Sequence, residues 1–431
     1  MNTNPMQTQN PGLTSELATG QSQETLLQRY QDAILGIFGS PSRTLVKGEG
    51  SRVWDANGKS YLDLLAGISV NALGHCHPKW VKAIADQAST LGHISNLFTS
   101  PTQIALAEKL LGLAQAPEGS KVFFANSGTE ANEAAFKLAR RHGNADPSGQ
   151  RRRILALERG FHGRTIGALA MTAKTQYRTP FEPMPAGVEH IPFGDIAALE
   201  QHIDETVAAV IMEPIQGEAG VYGLSREYLQ KARALTREHG ALLIYDEVQS
   251  GMGRTGSWFA HQGVEAELGS VQPDAMTLAK GLGAGFPIGA MLTFGTEASE
   301  LLQPGQHGTT FGGNPLATAA ALATISVMEE EQLLSHAKQK GRQTAATLEG
   351  LDCVAEVREH GLLIGVDLKP VENSSGIGAA VVAAGLEAGF ILNATGPNTL
   401  RIAPPLVITE AELDEFCQAL PELYAAAQQK G

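Results

Sequence analysis

Short apolar runs alternate with segments of helical periodicity through the middle of the chain, and this alternation limits the available folds more than any other feature. The runs "KVFFA" (121–125), "RILAL" (153–157), "VAAVIMEP" (207–214) and "ALLIYDE" (241–247) have the length and apolar character of buried strands. The segment "REYLQKARALTREHG" (226–240) has helical periodicity. Strands joined by helices run parallel, and helices then cover both faces of the sheet. We therefore predict an α/β protein with a mostly parallel sheet between helices.

Other patterns flank this region. After residue 313 we predict a long helix from about Pro315, two strands in "EVREHGLLIGVDL" (356–368) and a terminal helix in "ITEAELDEFCQALPELYAAA" (408–427). Near the N-terminus, "SRVWDANGKSYLDLLAG" predicts a hairpin that turns at Asn57-Gly58. The helix in "TEANEAAFKLARRHG" is expected to end at Gly143.

The length of the chain indicates more than one domain, because 431 residues are too many for one compact core. We predict a poorly ordered polar leader at 1–24, an N-terminal segment at 25–70 that packs near the small domain, a large domain at 71–314 and a smaller α+β domain at 315–431.

Composition and missing motifs exclude several classes of function. A net charge of −13 argues against a nucleic-acid surface. The longest apolar stretch, at 315–328, is too short to span a bilayer. Three widely separated cysteines without CxxC spacing suit a reducing compartment. No complete P-loop, HExxH or GxSxG motif occurs. We expect a cytoplasmic protein that binds no nucleic acid, no membrane and no metal.

Three stretches combine polar residues with buried elements. In "FFANSGTEANEA" (123–134) a strand leads into a helix whose N-terminus could bind a phosphate, although Ser127 or Thr129 could simply cap that helix. Asp246 ends a buried strand, where it could serve a ligand or form a structural salt bridge. Lys280, among glycines and apolar residues, could be a desolvated nucleophile or reach the surface.

Taken together, the three stretches describe the needs of one cofactor. Pyridoxal 5'-phosphate requires a phosphate seat, an acid for its pyridinium nitrogen and a lysine that holds its aldehyde as a Schiff base. Ser127 and Thr129, Asp246 and Lys280 would meet these needs in turn.

From about residue 40 to 425 the chain resembles the class III, fold-type I pyridoxal-phosphate aminotransferases. The resemblance rests on "NSGTEANEAAFKLAR", "FHGRT", "EPIQGEAGV", "LLIYDEVQSGMGRTG", "LAKGLGAGFPIGA", "HGTTFGGNPLA" and "LRIAPPL", which occur in the family's order. It implies the fold-type I architecture, with a large cofactor-binding domain and a smaller C-terminal one. The segment "NATGPNTL" (393–400) departs from the family at Gly396 and Thr399.

The resemblance also implies how each residue meets the cofactor. Lys280 matches the Schiff-base lysine that shuttles a proton, and Asp246 matches the acid at the pyridine nitrogen. Phe161 and Val248 match the residues on the two ring faces, and Gln249 lies near the phenolic oxygen. The phosphate seat would comprise Ser127, Gly128 and Thr129, with Thr310 reaching in from the second subunit of a homodimer.

The substrate contacts are implied in the same way. Arg164 matches the arginine that holds the far carboxylate of the substrate, with Thr309 beside it. Arg401 matches the arginine that binds the α-carboxylate of glutamate, and Glu218 matches its switch partner. Without the family match, each arginine would be read as part of an ordinary salt bridge.

Residues 67–98 resemble the members of the family that act on N2-acetyl-L-ornithine more closely than those that act on ornithine or 4-aminobutyrate. The implied reaction transfers the terminal amino group to 2-oxoglutarate by a ping-pong route and yields glutamate, as a step of arginine biosynthesis. Ornithine, succinylornithine or 4-aminobutyrate could replace acetylornithine as the amine. A non-catalytic cofactor binder and an aminomutase are the rival classes. The two carboxylate-binding arginines argue against the binder, and an aminomutase would need no 2-oxoglutarate.

Overall fold

The protein is described here by a computed structural model that covers residues 21–264, 268–372 and 374–429. The predicted leader lies mostly outside these residues, and a helix begins within its last two positions, at Gln23. The helices are α1 (Gln23–Ala33), α2 (Ala66–Ser69), α3 (Pro78–Thr90), α4 (Pro101–Leu113), α5 (Gly128–Ala145), α6 (Ile166–Met171), α7 (Thr175–Arg178), α8 (Ile196–His202), α9 (Arg226–His239), α10 (Gly295–Ser299), α11 (Pro315–Glu330), α12 (Leu333–Glu349), α13 (Gly378–Ala388) and α14 (Glu410–Gln428).

Within the described residues, the strands form three larger sheets and one two-stranded hairpin. They are β1 (Leu45–Glu49), β2 (Arg52–Asp55), β3 (Ser60–Asp63), β4 (Lys121–Ala125), β5 (Arg153–Leu157), β6 (Val188–Ile191), β7 (Val207–Met212), β8 (Ile215–Gln216), β9 (Tyr222–Gly223), β10 (Leu242–Asp246), β11 (Ala275–Leu278), β12 (Gly289–Thr293), β13 (Val354–His360), β14 (Leu363–Leu368), β15 (Phe390–Ile391), β16 (Asn393–Ala394) and β17 (Thr399–Ile402).

The largest sheet confirms the predicted α/β class. Its seven strands lie in the order β4-β12-β11-β10-β7-β5-β6. All neighbouring pairs are parallel except those of β12, which is antiparallel to both β4 and β11. Strands β7, β10, β11 and β12 are buried along their whole length, as expected for a sheet covered on both faces. The carboxyl ends of the parallel strands therefore converge on one edge, where ligands of open α/β sheets bind.

Helix α5 follows β4 directly, and one detail of its prediction is wrong. Its N-cap is Ser127, whose hydroxyl accepts a hydrogen bond from the backbone N–H of Glu130 at 3.3 Å. The helix passes through Gly143 and ends two residues later. Gly143 is buried, and a Cβ there would clash with the carbonyl oxygen of Arg151. The glycine thus serves close packing instead of ending the helix.

One of the remaining sheets combines residues from both ends of the chain. The predicted hairpin β2–β3 is confirmed, and Gly58 adopts a φ of 84° in its turn. Strand β15 pairs in parallel with β3, so that this sheet has the order β1-β2-β3-β15. A second four-stranded sheet has the order β13-β14-β17-β16.

The domain boundaries given above stay predictions. Among the described residues, no helix is long and apolar enough to cross a membrane.

A buried carboxylate behind β10 secures the turn that follows this strand. Glu247 is fully buried. One of its oxygens accepts hydrogen bonds from the Ser250 hydroxyl at 2.7 Å and from the Ala260 N–H at 2.9 Å. The other accepts from the backbone N–H of His261 at 3.0 Å and lies 3.0 Å from Nδ1 of that ring. Because Glu247 adjoins Asp246, this network also positions the end of the strand.

We predict that Glu247→Ala lowers the free energy of unfolding by about 3–5 kcal/mol, because it leaves several buried donors without an acceptor. Urea denaturation of the wild type and the variant measures this loss. Glu238→Ala is the matched control, since Glu238 lies exposed on helix α9. Equal stability of the two variants would contradict a supporting role for Glu247.

Candidate active site

Most of the predicted site residues line one cavity of about 420 Å³ at the carboxyl edge of the seven-stranded sheet. Thr309, Thr310 and Arg401 are not among the lining residues. Those of the predicted set that line it are Ser127, Gly128, Thr129, Phe161, Arg164, Glu218, Asp246, Val248, Gln249 and Lys280.

Lys280 lies at this cavity and not on the outer surface. It follows β11 by two residues and begins a single 3-10 turn with a φ of 43°. Burial lowers the pKa of its ammonium from 10.5 to about 8, against the opposing effect of the Glu218 carboxylate. At pH 7.5 about a quarter of such a lysine is neutral, compared with about one molecule in a thousand at the ordinary pKa. The residue is therefore a usable amine nucleophile.

Asp246 is buried and is surrounded by donors. Its Oδ2 accepts a hydrogen bond from Asn132 Nδ2 at 2.7 Å and lies 2.8 Å from His162 Nδ1. Its Oδ1 accepts from the backbone N–H of Val248 at 3.0 Å. The amide of Asn132 is itself oriented, because its oxygen accepts a hydrogen bond from the Thr277 hydroxyl at 2.7 Å. This arrangement holds a carboxylate at the cavity, as a protonated ring nitrogen requires.

Three further residues, Glu213, Asn132 and His162, line the cavity but were not predicted from the sequence. Glu213 accepts a hydrogen bond from the backbone N–H of Phe161 at 2.8 Å. Burial, followed by the nearby Asp246 charge, raises the pKa of Glu213 well above its ordinary value, which favours the protonated form of this carboxyl. Its position directly after the buried strand β7 is the same signal that identified Asp246.

The N-terminus of α5 can hold an anion at one end of the cavity. Its first turn has backbone N–H groups without partners inside the helix, and the helix dipole favours negative charge there. The Ser127 hydroxyl caps the helix, as the alternative interpretation predicted. The Thr129 hydroxyl accepts hydrogen bonds from the backbone N–H groups of Arg164 and Thr165 at 3.0 and 3.1 Å. A Cβ at Gly128 would lie 2.7 Å from Val248 Cγ1, so this position has no room for a side chain.

Arg401 reaches the cavity wall through an ion pair. Its side chain is 1% exposed, and Nη1 donates to Glu218 Oε1 at 2.5 Å. Gln249 donates to the same oxygen of Glu218 at 3.1 Å and accepts from Arg401 Nη1 at 3.1 Å. Arg401 Nη2 donates to Asn393 Oδ1 at 2.9 Å. Burial opposes ionisation of Glu218, but the charges of Arg401 and Lys280 outweigh it and lower the pKa of this carboxyl.

Arg164 lies at the mouth of the cavity, where it is exposed. Its guanidinium carbon is 3.5 Å from the centre of the Tyr177 ring and 5.7 Å from that of Phe161. No carboxylate of the described residues lies within salt-bridge distance of it. The guanidinium is therefore free to bind an external carboxylate.

Two predicted residues lie apart from the others. The Thr309 hydroxyl accepts a hydrogen bond from Asn126 Nδ2 at 3.0 Å, and Asn126 lines the cavity. Thr310 is exposed and does not line it. Its assignment to the phosphate seat of a second subunit stays a prediction.

One cavity is surrounded by a desolvated lysine, a hydrogen-bonded acid and a helix N-terminus, which are the groups that a fold-type I pyridoxal-phosphate enzyme needs. Residues 39–423 match the family Aminotransferase class-III. The chain belongs to this family, whose members are pyridoxal-phosphate-dependent transaminases.

Individual relatives agree with this assignment. The acetylornithine aminotransferase of Bifidobacterium longum is 47% identical over 415 residues, which cover 92% of this chain and 95% of that protein. The acetylornithine aminotransferase of Mycolicibacterium smegmatis is 47% identical over 405 residues, with 94% and 99% covered. Among solved structures, the ornithine aminotransferase of Toxoplasma gondii has a TM-score of 0.87 at 31% identity, with 96% and 98% covered. The acetylornithine aminotransferase of Elizabethkingia anophelis has a TM-score of 0.80 at 32% identity, with 94% and 99% covered.

We predict that Lys280→Met stabilises the cofactor-free protein by about 3 kcal/mol below pH 8. Below pH 8 the lysine is charged in both the folded and the unfolded protein, so the folded protein bears the full free-energy cost of desolvating this charge. The advantage of methionine falls as the pH rises from about 8 to 10.5, where the folded lysine is neutral and the unfolded one is still charged. Urea denaturation across this pH range measures the difference. A stability difference that does not change with pH would contradict the lowered pKa.

Proposed function

We propose that the protein transfers the terminal amino group of N2-acetyl-L-ornithine to 2-oxoglutarate, and so serves arginine biosynthesis in the cytoplasm. The observation that carries this proposal is the identity of 45–47% with acetylornithine aminotransferases over more than nine-tenths of the chain. The cavity supports it with groups for the cofactor and with two arginines for substrate carboxylates.

The described residues fit pyridoxal phosphate. Lys280 would bind its aldehyde, Asp246 would pair with its ring nitrogen, and Phe161 and Val248 would contact the two faces of its ring. Gln249 would lie near the phenolic oxygen. When bound, the cofactor supplies an electron sink that makes the carbon next to the transferred amine acidic. The phosphate would be held by Ser127, Gly128, Thr129 and the partner's Thr310.

The chain itself supplies the proton transfer. Once the substrate amine had replaced it on the cofactor, Nζ of Lys280 would accept the proton from the amine-bearing carbon and donate it to the former aldehyde carbon of the cofactor, as its lowered pKa allows. The negative charge of Asp246, which Asn132 and Val248 hold in place, would keep the ring nitrogen protonated. The enclosing apolar residues exclude water from the step.

The two arginines would bind different carboxylates of the substrates. Arg164 would bind the far carboxylate of acetylornithine or 2-oxoglutarate, with Thr309 beside it. Arg401 would bind the carboxylate next to the reacting carbon of glutamate or 2-oxoglutarate. Acetylornithine has no carboxylate at that position, so Glu218 would neutralise Arg401 while this substrate reacts and turn away when the diacid enters.

A homodimer would complete the site. Thr310 lies outside the cavity of its own subunit, and the nearby side chains of Leu97, Phe98 and Phe311 are 86, 72 and 58% exposed. An apolar surface of this kind is typical of a subunit interface. Ornithine, succinylornithine and 4-aminobutyrate stay alternative amines, since the same groups could bind them.

We predict that N2-acetylornithine is the preferred amine. Initial rates with 2-oxoglutarate and each of the four amines measure the preference as kcat/KM. A preference for ornithine of tenfold or more would overturn the choice of substrate but keep the reaction class. Turnover without 2-oxoglutarate would point to an aminomutase.

Replacement of the lysine tests the chemistry. Lys280→Ala is expected to lower kcat about 10²–10⁴-fold, because proton transfer at Nζ is lost. The visible absorption band of the lysine-bound cofactor should vanish as well. Lys174→Ala is the control, since this lysine lies outside the cavity lining. Wild-type turnover by Lys280→Ala would rule out the mechanism.

Arg164→Gln is expected to raise KM for N2-acetylornithine about 10- to 100-fold, because a hydrogen bond between charged groups is lost. Steady-state kinetics with varied amine measure it, and kcat should change much less. Arg237→Gln is the matched control, because Arg237 is an exposed residue of α9. An unchanged KM would show that the far carboxylate binds elsewhere.

A further inference from the structure

Four residues form one row across the sheet β13-β14-β17-β16. Arg358 of β13 pairs with Gly365 of β14, and Gly365 pairs with Arg401 of β17. Arg401 pairs in turn with Asn393 of β16. Two arginines therefore flank a glycine in consecutive strands, and only one of them, Arg401, has a place in the proposed reaction.

The turn 217–221 of the hairpin β8–β9 lies against this row and carries Glu218. Glu218 forms the ion pair with Arg401. Two residues further on, the carbonyl oxygen of Gly220 accepts a hydrogen bond from Arg358 Nε at 2.9 Å. The turn is thus fixed on both sides of Gly365. On one side the Glu218 side chain binds Arg401, and on the other the Gly220 backbone binds Arg358.

The turn can approach the sheet closely because residue 365 is a glycine and has no side chain. A Cβ at position 365 would clash with the carbonyl oxygen of Gly220 and lie 3.1 Å from Cβ of Val221. The turn itself is conformationally costly, since Gly220 has a φ of 115° and Val221, which is not a glycine, has a φ of 64°. Such a backbone needs contacts that hold it in place.

Arg358 is well fixed for this task. It makes a bidentate ion pair with Asp367, at 2.7 and 2.8 Å, and its guanidinium carbon lies 4.2 Å from the centre of the Tyr222 ring. Thr399 donates to the same Asp367 at 2.6 Å. Thr399 is one of the two positions at which the sequence departs from the family pattern, and this contact gives it a structural role.

We propose that Arg358 and Gly365 are positioning residues for Glu218. By fixing the turn 217–221, they set how strongly Glu218 neutralises Arg401. The proposal rests on the proposed function, because this neutralisation matters only if the two half-reactions differ at the carboxylate site of Arg401. With the backbone held at Gly220, Glu218 can leave Arg401 by rotating its side chain and can return to the same place.

A loosened turn therefore has different effects on the two amine donors. Acetylornithine requires a neutralised Arg401 and should react more slowly. Glutamate requires a free Arg401 and should react as fast as before, or faster. The measured quantity is the ratio of the two rate constants, obtained with holoenzyme as the loss of the visible band of the lysine-bound cofactor after mixing with either amine.

We expect Arg358→Lys and Gly365→Ala each to lower the acetylornithine-to-glutamate ratio about tenfold, the size of one lost charge-assisted hydrogen bond. Arg358→Lys keeps the charge but loses the Nε donor, and Gly365→Ala displaces the turn. The controls are Arg342→Lys, on the exposed face of α12, and Gly350→Ala, where a Cβ would have ordinary contacts. If Gly365→Ala does not fold, Arg358→Lys still tests the contact with Gly220. Thr399→Val then tests the Asp367 carboxylate that fixes Arg358, and it should lower the ratio in the same direction.

A double-mutant cycle separates positioning from general damage to the fold. In a Glu218→Gln background, Arg358→Lys should change the ratio no further, because both changes act through one carboxylate. Equal slowing with both amines, or additive effects, would overturn the proposal. If the wild type fails with acetylornithine but accepts ornithine or 4-aminobutyrate, the proposed substrate is wrong, and the ratio is measured with that amine instead.

Discussion

Burial of several ionisable groups around one cavity is the constraint on which the rest of this structure depends. An isolated charge removed from water is very costly, so each group must have a partner or lose its charge. Asp246 has hydrogen-bond donors, Glu218 and Arg401 have each other, and the pKa of Glu213 is raised, which favours its uncharged form. Among the described residues, Lys280 has no such hydrogen-bonded partner, and burial lowers its pKa instead. At this cavity, Lys280 and Arg164 are the groups that a cofactor and a substrate carboxylate would complete.

The sequence was sufficient to predict a mostly parallel sheet and four of its seven strands, β4, β5, β7 and β10, which are visible as apolar runs. Strands β6, β11 and β12 were not predicted. Asp246, Lys280 and the start of α5 were expected together because they meet the needs of one cofactor. The end of α5 at Gly143 was predicted wrongly. A glycine that ends a helix and a glycine that lets two backbones meet look alike in a sequence, and only the contact with Arg151 distinguishes them.

The residues missed in the sequence analysis act through contacts that local patterns do not record. His162 and Asn132 reach Asp246 from segments 84 and 114 residues away. Arg358 reaches the turn that carries Glu218 over 138 residues of chain. Such contacts depend on the order of the strands in the sheet and on their register. Apolar periodicity determines neither of these. Glu213 is different, since its position after a buried strand gave the same signal as that of Asp246 and was overlooked.

Glu213 and Glu218 belong to one short segment and line the same cavity, yet their pKa values shift in opposite directions. Burial and the Asp246 charge raise the pKa of Glu213, whereas the charges of Arg401 and Lys280 lower that of Glu218. Among the described residues, the other charged groups of the site are Asp246, which is acidic, and three basic residues, Lys280, Arg401 and Arg164. An entering diacid would displace Glu218 from Arg401 with one carboxylate and would bring its second carboxylate to Arg164. The raised pKa of Glu213 favours its protonated form and so limits the negative charge that opposes this entry.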